Sequence, residues 1–286
     1  MPELPEVETI RRDLARVLRG QRVVSFAVKR PKLLRNPRRA FSRYLVGSTI
    51  TNVERRGKQL IFKLNSGYSL LIHLKMTGQL VWKSSRGKIS AGGHPIAGVA
   101  QVPNRYTYIV ISLGDKSNLY FNDVRQFGYF HLVPTNELAQ VFRKLSPEPL
   151  SRSFTFSWLD MAFKRRGRTT VKAAILDQGI AAGIGNIYAD ESLFVARIKP
   201  SRRVSSLSEK ERQALWRAIR GVLRRAVQAR GTSFNSYRDG LGRQGTYWAR
   251  RLAYGRAGQA CVRCRHVLQR SRVAGRGTTH CDICQR

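Results

Sequence analysis

Residues able to do chemistry sit at the two ends of this sequence. The chain opens Met1-Pro2-Glu3-Leu4-Pro5-Glu6. Met1 before a proline is a favourable pair for removal of the initiator methionine, which would leave Pro2 with a free secondary amine. An α-amine titrates near about 7.7–8, against about 10.4 for a lysine, so a useful fraction is unprotonated near neutrality. Attack of that amine on C1′ of a deoxynucleotide would displace the base and form a Schiff base. From a secondary amine the adduct is a cationic iminium, an electron sink suited to loss of the 3′ and then the 5′ phosphate. Glu3 and Glu6 lie within reach as proton carriers. Pro and Glu in a first helical turn are also what N-terminal capping alone predicts. The residues by themselves leave both readings open.

The last 26 residues hold all four cysteines, as Cys261-x2-Cys264 and Cys281-x2-Cys284 with sixteen residues between the pairs. Each pair presents two thiolates on one tight turn, and two such turns complete a tetrahedral zinc site. A module this short has too little core to fold unaided, so the metal supplies its stability. His266 and His280 are near, but four cysteines already fill the shell. Arg276 stands between Gly275 and Gly277, where a hairpin tip could press close to a phosphate.

These ends need elements to position them. Val7, Ile10, Leu14, Val17 and Leu18 recur at helical spacing, which predicts a helix over residues 5–19. Apolar or alternating runs then predict strands at Val23–Val28, Ile50–Val53, Gln59–Leu64, Ser69–Leu74, Tyr106–Leu113 and Asn118–Phe121. Residues 84–104, rich in Gly, Ser and Pro, read as a long loop. Around Pro134–Pro149 the period changes to 3.6. Short helices are predicted at Val171–Gln178 and Ile187–Phe194, joined by Gly179–Gly185, and a longer one opens at Ser208 with Glu211 completing a capping box. Gly231 is its expected stop. The fold class is therefore α+β. An N-terminal β-sandwich domain with flanking helices spans residues 1–133, a hinge 134–150, a helical domain 151–255 and the four-cysteine module 256–286.

Lys and Arg total 53 against 17 Asp and Glu, a formal net charge of +36. Such an excess opposes compaction and points to a polyanionic partner; its spread along the chain favours a folded nucleic-acid binder. Hydrophobic content of 42% argues against wholesale disorder. No run approaches the ~20 apolar residues of a membrane span, and the acidic start has no signal region. A cytoplasmic protein is expected, with reduced cysteines.

The opening through Thr9, followed by Arg11-Arg12, resembles formamidopyrimidine-DNA glycosylases, the bacterial enzymes that repair 8-oxoguanine. The resemblance continues through Arg55-Arg-Gly-Lys-Gln-Leu60, Ile72-His-Leu-Lys-Met-Thr-Gly78, Asp123-Val-Arg-Gln-Phe-Gly128, Gly183 to Glu191 and the four cysteines, so it spans nearly the whole chain. It implies a helix–two-turn–helix element, a zinc-finger β-hairpin with one structural Zn2+, and a monomer acting on damaged double-stranded DNA, with no membrane. It implies that Pro2 is the nucleophile, Glu3 the acid/base and Glu6 a supporting group. Lys58 is expected at the phosphates flanking the lesion. Met76, Arg125 and Phe127 are expected to enter the duplex where the damaged base is extruded. Lys172, Asn186 and Arg276 are expected to bind DNA; Asn186 opens a predicted helix whose free N–H groups favour a phosphate. Arg230-Gly-Thr-Ser233, on through Gly245, resembles a loop that closes over the flipped base.

The chain also departs from the family. Arg105-Tyr-Thr-Tyr108 stands where many members carry a histidine-bearing segment, and Gln126 where a second arginine is common. Lys75 replaces a usually small residue, and Arg230 one glycine of a Gly-Gly-Thr. Two other readings stand beside the main one. One is an endonuclease VIII-type glycosylase for oxidised pyrimidines, whose usual Pro-Glu-Gly-Pro-Glu opening differs at Leu4. The other is a non-catalytic zinc-containing DNA-binding protein, in which Glu3 and Lys58 would have no purpose.

Overall fold

The computed structural model describes residues 1–93, 101–232 and 245–286. The chain divides into two compact units, residues 1–143 with 229–248, and residues 144–228 with 249–286. This differs from the expected boundaries. Residues 229–248 belong with the N-terminal unit, and the cysteine module shares a unit with the helices.

The first unit starts with helix α1 (Leu4–Leu18) and strand β1 (Val23–Val28), followed by α2 (Arg38–Tyr44). Eight strands come next: β2 (Ile50–Arg56), β3 (Gln59–Leu64), β4 (Tyr68–His73), β5 (Gly78–Lys83), β6 (Ile89–Gly93), β7 (Thr107–Leu113), β8 (Asn118–Asp123) and β9 (Tyr129–Pro134). A short α3 (Leu138–Val141) ends the run. The strands form two antiparallel sheets, ordered β1-β7-β8-β5-β6 and β2-β3-β4-β9. Phe26, Ile109 and Phe121 of the first sheet share one core with Phe62, Ile72 and Phe130 of the second and with Ile10 and Leu14 of α1. Each such side chain contributes roughly 1.5–3 kcal/mol of burial free energy. The expected sandwich is present.

Strand β6 falls inside the segment read as a loop. Its composition has a physical cause: a Cβ at Gly92 would collide with the side chain of Ile10, so glycine lets α1 lie against the strand. Residues 94–100 of that segment lie outside the described residues. The outer face of β3, β4 and β9 is apolar too, because Ile61, Leu71 and Val133 pack on Leu138 of α3 and on Phe142.

The second unit holds α4 (Phe156–Lys164), α5 (Val171–Leu176), α6 (Asn186–Ala196), α7 (Glu209–Gln228) and a hairpin of β10 (Gln269–Val273) and β11 (Arg276–His280). Thr155 and Thr170 cap α4 and α5, accepting the N–H of Trp158 at 3.1 Å and of Ala173 at 3.3 Å. The capping box before α7 forms as expected: Ser208 N–H donates to Glu211 at 2.7 Å, and Glu211 N–H to the Ser208 hydroxyl at 3.3 Å. Helix α6 is buried from Tyr188 through Phe194 and lacks a polar face. Two carboxylates lie within it. Glu191 accepts the N–H groups of Leu252, Ala253 and Tyr254 at 2.8–2.9 Å, tying the chain after residue 248 to the helix. No helix among the described residues is long and apolar enough to cross a membrane.

Candidate active site and nucleic-acid interface

Pro2 is buried at the start of α1, and Glu3 and Glu6 are each only 3% exposed. One oxygen of Glu6 accepts the Glu3 N–H at 2.9 Å, and the other accepts the Thr232 N–H at 2.7 Å. The capping that the opening residues suggest is formed, with Glu6 at its centre. Glu6 is committed to backbone amides and fixes both the helix start and the chain at residue 232, while Glu3 is held at the helix mouth. The α-amine of Met1, which precedes Pro2, is held below its ordinary value of 8.0. Burial is the main cause, and Lys58 adds to it against the opposing pull of Glu3 and Glu6. A larger unprotonated fraction near neutrality follows.

Lys58 sits on the two-residue turn between β2 and β3, where Gly57 adopts φ +59°. Arg55 anchors this turn to α1. Its guanidinium donates to Gly57 O at 2.8 Å and to Glu8 at 3.2 Å. Glu8 also pairs with Arg11 at 2.8 Å and Arg12 at 2.7 Å. Burial pushes the Glu8 carboxyl up, but the three arginines hold it below the usual carboxylate range. Sequence reasoning missed Glu8 and Arg55, which set the lysine relative to the amine.

The proposed duplex-entering residues lie on two neighbouring turns, because Gly78 at the start of β5 pairs with Asp123 at the end of β8. Met76 is 40% and Phe127 51% exposed, and the Arg125 guanidinium lies 4.6 Å from the Phe127 ring centroid. Asp123, fully buried, joins the turns. It accepts the Thr77 hydroxyl and, at 2.7 Å, the Gly128 N–H; the Thr77 oxygen accepts the Arg125 N–H at 3.0 Å. Neither Asp123 nor Thr77 was singled out from the sequence. Two departures from the family turn out to be partners: Gln126, at φ +55°, donates to the Tyr108 hydroxyl at 3.0 Å.

Arg230 likewise has a partner. At φ +59° it occupies a conformation suited to the glycine it replaces, and its guanidinium donates to the buried Asp13 of α1 at 2.6 Å. Gly231 is needed beside it, since a Cβ there would stand 2.8 Å from Glu6 Oε1. Residues 233–244 of the expected closing loop lie outside the described residues.

In the second unit Lys172 is corrected. Expected at DNA, its side chain is fully buried, pairing with Asp190 at 2.6 Å and donating to Thr278 Oγ1 at 2.7 Å and Gly277 O at 3.2 Å. An ammonium so enclosed has no surface to offer a phosphate; it holds the hairpin. Asp190 in turn accepts the Thr279 N–H at 3.0 Å. Burial pushes its carboxyl up to about 6, against the opposing pull of Lys172. Asn186, at the start of α6, donates to Gly277 O at 2.9 Å. Arg276 is exposed next to this clamped backbone, at the hairpin tip where Ala274 and Gly275 have positive φ.

The four cysteine sulfurs lie within 4.8 Å of one another, with Cys261 and Cys284 3.9 Å apart and Cys264 and Cys281 3.5 Å apart. Thiolates about 2.3 Å from one tetrahedral zinc would stand about 3.8 Å apart. The Arg263 N–H points to Cys261 Sγ at 3.5 Å and the Cys284 N–H to Cys281 Sγ at 3.4 Å, the amide support expected of thiolate ligands. These residues fit a bound metal ion.

With this geometry in hand, comparison with known proteins is specific. Residues 1–130 match the formamidopyrimidine-DNA glycosylase N-terminal domain, and residues 145–237 the H2TH domain of the same glycosylases. A formamidopyrimidine-DNA glycosylase of Carboxydothermus hydrogenoformans is 41% identical over all of both chains. One from Pelotomaculum thermopropionicum is 39% identical, over all of this chain and 99% of that one. Among solved structures, a Lactococcus lactis Fpg variant in complex with Fapy-dG-containing DNA superposes over all of both chains with a TM-score of 0.89 at 31% identity. MutM (Fpg) from Thermus thermophilus does so with 0.85 at 38% identity, covering 99% of this chain and 98% of that one. Fold and matches together define a DNA-repair glycosylase, of a class that also has abasic-site lyase activity. The chain belongs to the formamidopyrimidine-DNA glycosylase family.

Proposed function

We propose that this enzyme excises oxidised purines, 8-oxoguanine and formamidopyrimidines, from duplex DNA and then cleaves the strand, with the Pro2 amine as nucleophile. The observation that carries the reading is geometric: Pro2 is buried at the start of α1 with the buried carboxylates of Glu3 and Glu6 beside it, where the amine of the preceding Met1 is held below its ordinary value by burial. Once Met1 is removed, the Pro2 nitrogen donates its lone pair to C1′. The glycosidic bond breaks; the base leaves with the bonding pair of that bond and takes up the proton that the attacking nitrogen sheds. Opening of the sugar ring gives the iminium, with the proton for O4′ passed by Glu3. Loss of the C2′ proton then expels the 3′ phosphate, and a second elimination expels the 5′ phosphate. Water hydrolyses the remaining iminium and returns the amine. Lys58 adds a minor push toward the neutral form of the terminal amine and offers its charge to a flanking phosphate.

Met76, Arg125 and Phe127 suit the void left by an extruded base, and Asn186 and Arg276 suit phosphate contacts. The four cysteines would hold one Zn2+, whose role is structural: it closes the module and sets the hairpin that bears Arg276. The enzyme acts as a monomer in the cytoplasm. Strand cleavage of duplexes carrying 8-oxoguanine opposite cytosine, measured beside duplexes carrying an oxidised pyrimidine, tests the substrate class. Faster cleavage of the purine lesion is expected. Preference for the pyrimidine would assign endonuclease VIII-type specificity instead.

A further inference from the structure

Lys75 stands in the left-handed region at φ +52°, a conformation that favours glycine, on the same turn as the exposed Met76. The turn is held by the Gly78 N–H donating to Leu74 O at 2.9 Å and by the Lys75 N–H donating to His73 Nδ1 at 2.9 Å. A side chain placed at such a position needs a reason. Its ammonium lies 5.7 Å from the centroid of the Tyr129 ring, and the Arg35 guanidinium lies 4.7 Å from the same centroid. Tyr129 is itself fixed, its hydroxyl accepting from Gln59 Nε2 at 3.0 Å. Two cations thus share one anchored aromatic ring, and neither has a carboxylate partner among the described residues.

Like charges gathered without a counter-charge are costly unless an anion joins them. The neighbouring His73 registers the same field. Burial, with Lys75 and then Lys58, drives it down to about 3, so it stays neutral, with Nδ1 accepting and the ring proton on Nε2. Strand pairing puts these groups together, since His73 pairs with both Gln59 and Tyr129.

We infer that Lys75 and Arg35, mounted on Tyr129, form an anion site for a backbone phosphodiester of the DNA strand beside the point where Met76 enters. The site deepens the proposed function and rests on it. It makes Lys75 a positioning residue that raises DNA affinity at the expense of backbone strain.

The test is the salt dependence of binding to a duplex with an uncleavable abasic-site analogue, for the zinc-loaded wild type, Lys75→Met, Lys75→Arg, Arg35→Met and the double Met variant. Each phosphate left without its cation should lower the slope of log affinity against log salt by about 0.9 and weaken binding at 0.1 M salt by about eightfold. The double variant Lys75→Met with Arg35→Met, which strips the phosphate of both cations, should show this in full and each single Met variant in part, and Lys75→Arg should keep the wild-type slope. Arg35→Met lies outside the strained turn and serves if Lys75→Met does not fold. Unchanged slopes in folded Met variants of a wild type that binds and cleaves would overturn the inference alone. A wild type that does not bind DNA would overturn the inference together with the proposed function.

Discussion

The carboxylate of Glu6 grips two distant backbone amides, that of Thr232 at 2.7 Å and that of Glu3 at 2.9 Å. A residue 226 positions away in sequence is thereby tied to the helix that presents Pro2. Glu6→Gln keeps one acceptor but turns an NH2 group toward one of the two donors. A buried N–H left unsatisfied costs about 1–3 kcal/mol. Single-turnover cleavage should fall roughly tenfold for each ~1.4 kcal/mol lost from the transition state. Affinity for uncleavable lesion DNA should change far less. Equal losses in affinity and cleavage would show that Glu6 acts in binding.

Asp123 joins the two turns bearing Met76, Arg125 and Phe127 through the Thr77 hydroxyl and the Gly128 N–H. Asp123→Asn removes the charge from these hydrogen bonds, each worth about 1.5–3 kcal/mol when charge-assisted. The variant should bind undamaged duplex nearly as well as wild type. Its excision of a paired lesion should fall about tenfold or more, because the turns no longer keep their spacing. Undiminished excision would remove Asp123 from the account.

Lys172 and Asp190 form an ion pair with 0% and 1% side-chain exposure. Removing one partner leaves a buried charge, so Lys172→Met should destabilise the second unit by about 3–5 kcal/mol. The double variant Lys172→Met with Asp190→Leu should recover much of that loss, as thermal or urea unfolding would show. If Lys172 served DNA directly, Lys172→Met would weaken binding and leave unfolding unchanged.

The four sulfurs provide a further test. Chelation or Cys281→Ser should release the hairpin that carries Arg276 and weaken DNA binding, with the loss of metal verified independently. Intact affinity in metal-free protein would remove the hairpin from the interface.

The amine sets a pH dependence. Pro2 is buried, and burial favours the neutral form of an amine, which is the nucleophile. The rate of covalent adduct formation should rise with pH to a plateau, with a midpoint below the ordinary α-amine value of about 8. Lys58→Met removes a cation that lowers the Met1 amine at the same terminus, so the midpoint should move upward by a small amount. A midpoint above 8.0 in the wild type would contradict the assigned environment.

Local pattern explains what was legible. Strand β7 alternates buried and half-buried residues throughout, α7 carries one apolar stripe, and Ser208 and Glu211 cap it by spacing alone. Strand β6 escaped because its glycine serves Ile10 of another element. Helix α6 is enclosed along most of its length, so its burial has no period to read. The cysteines and the Pro2 to Glu6 opening announced their sites because their chemistry depends on residue type and short spacing. Glu8 with Arg55, and Thr77 with Asp123, lie 47 and 46 residues apart, and no local rule pairs them. Lys172 was picked by position, yet its role depends on Asp190 and the hairpin, which only the fold brings to it.

The most direct measurement is borohydride trapping on a duplex carrying 8-oxoguanine opposite cytosine, followed by mapping of the adduct. The account predicts a covalent protein–DNA complex attached at Pro2, absent when Met1 is retained or the amine is acetylated. An adduct at a lysine, or strand cleavage by N-terminally blocked protein, would contradict it.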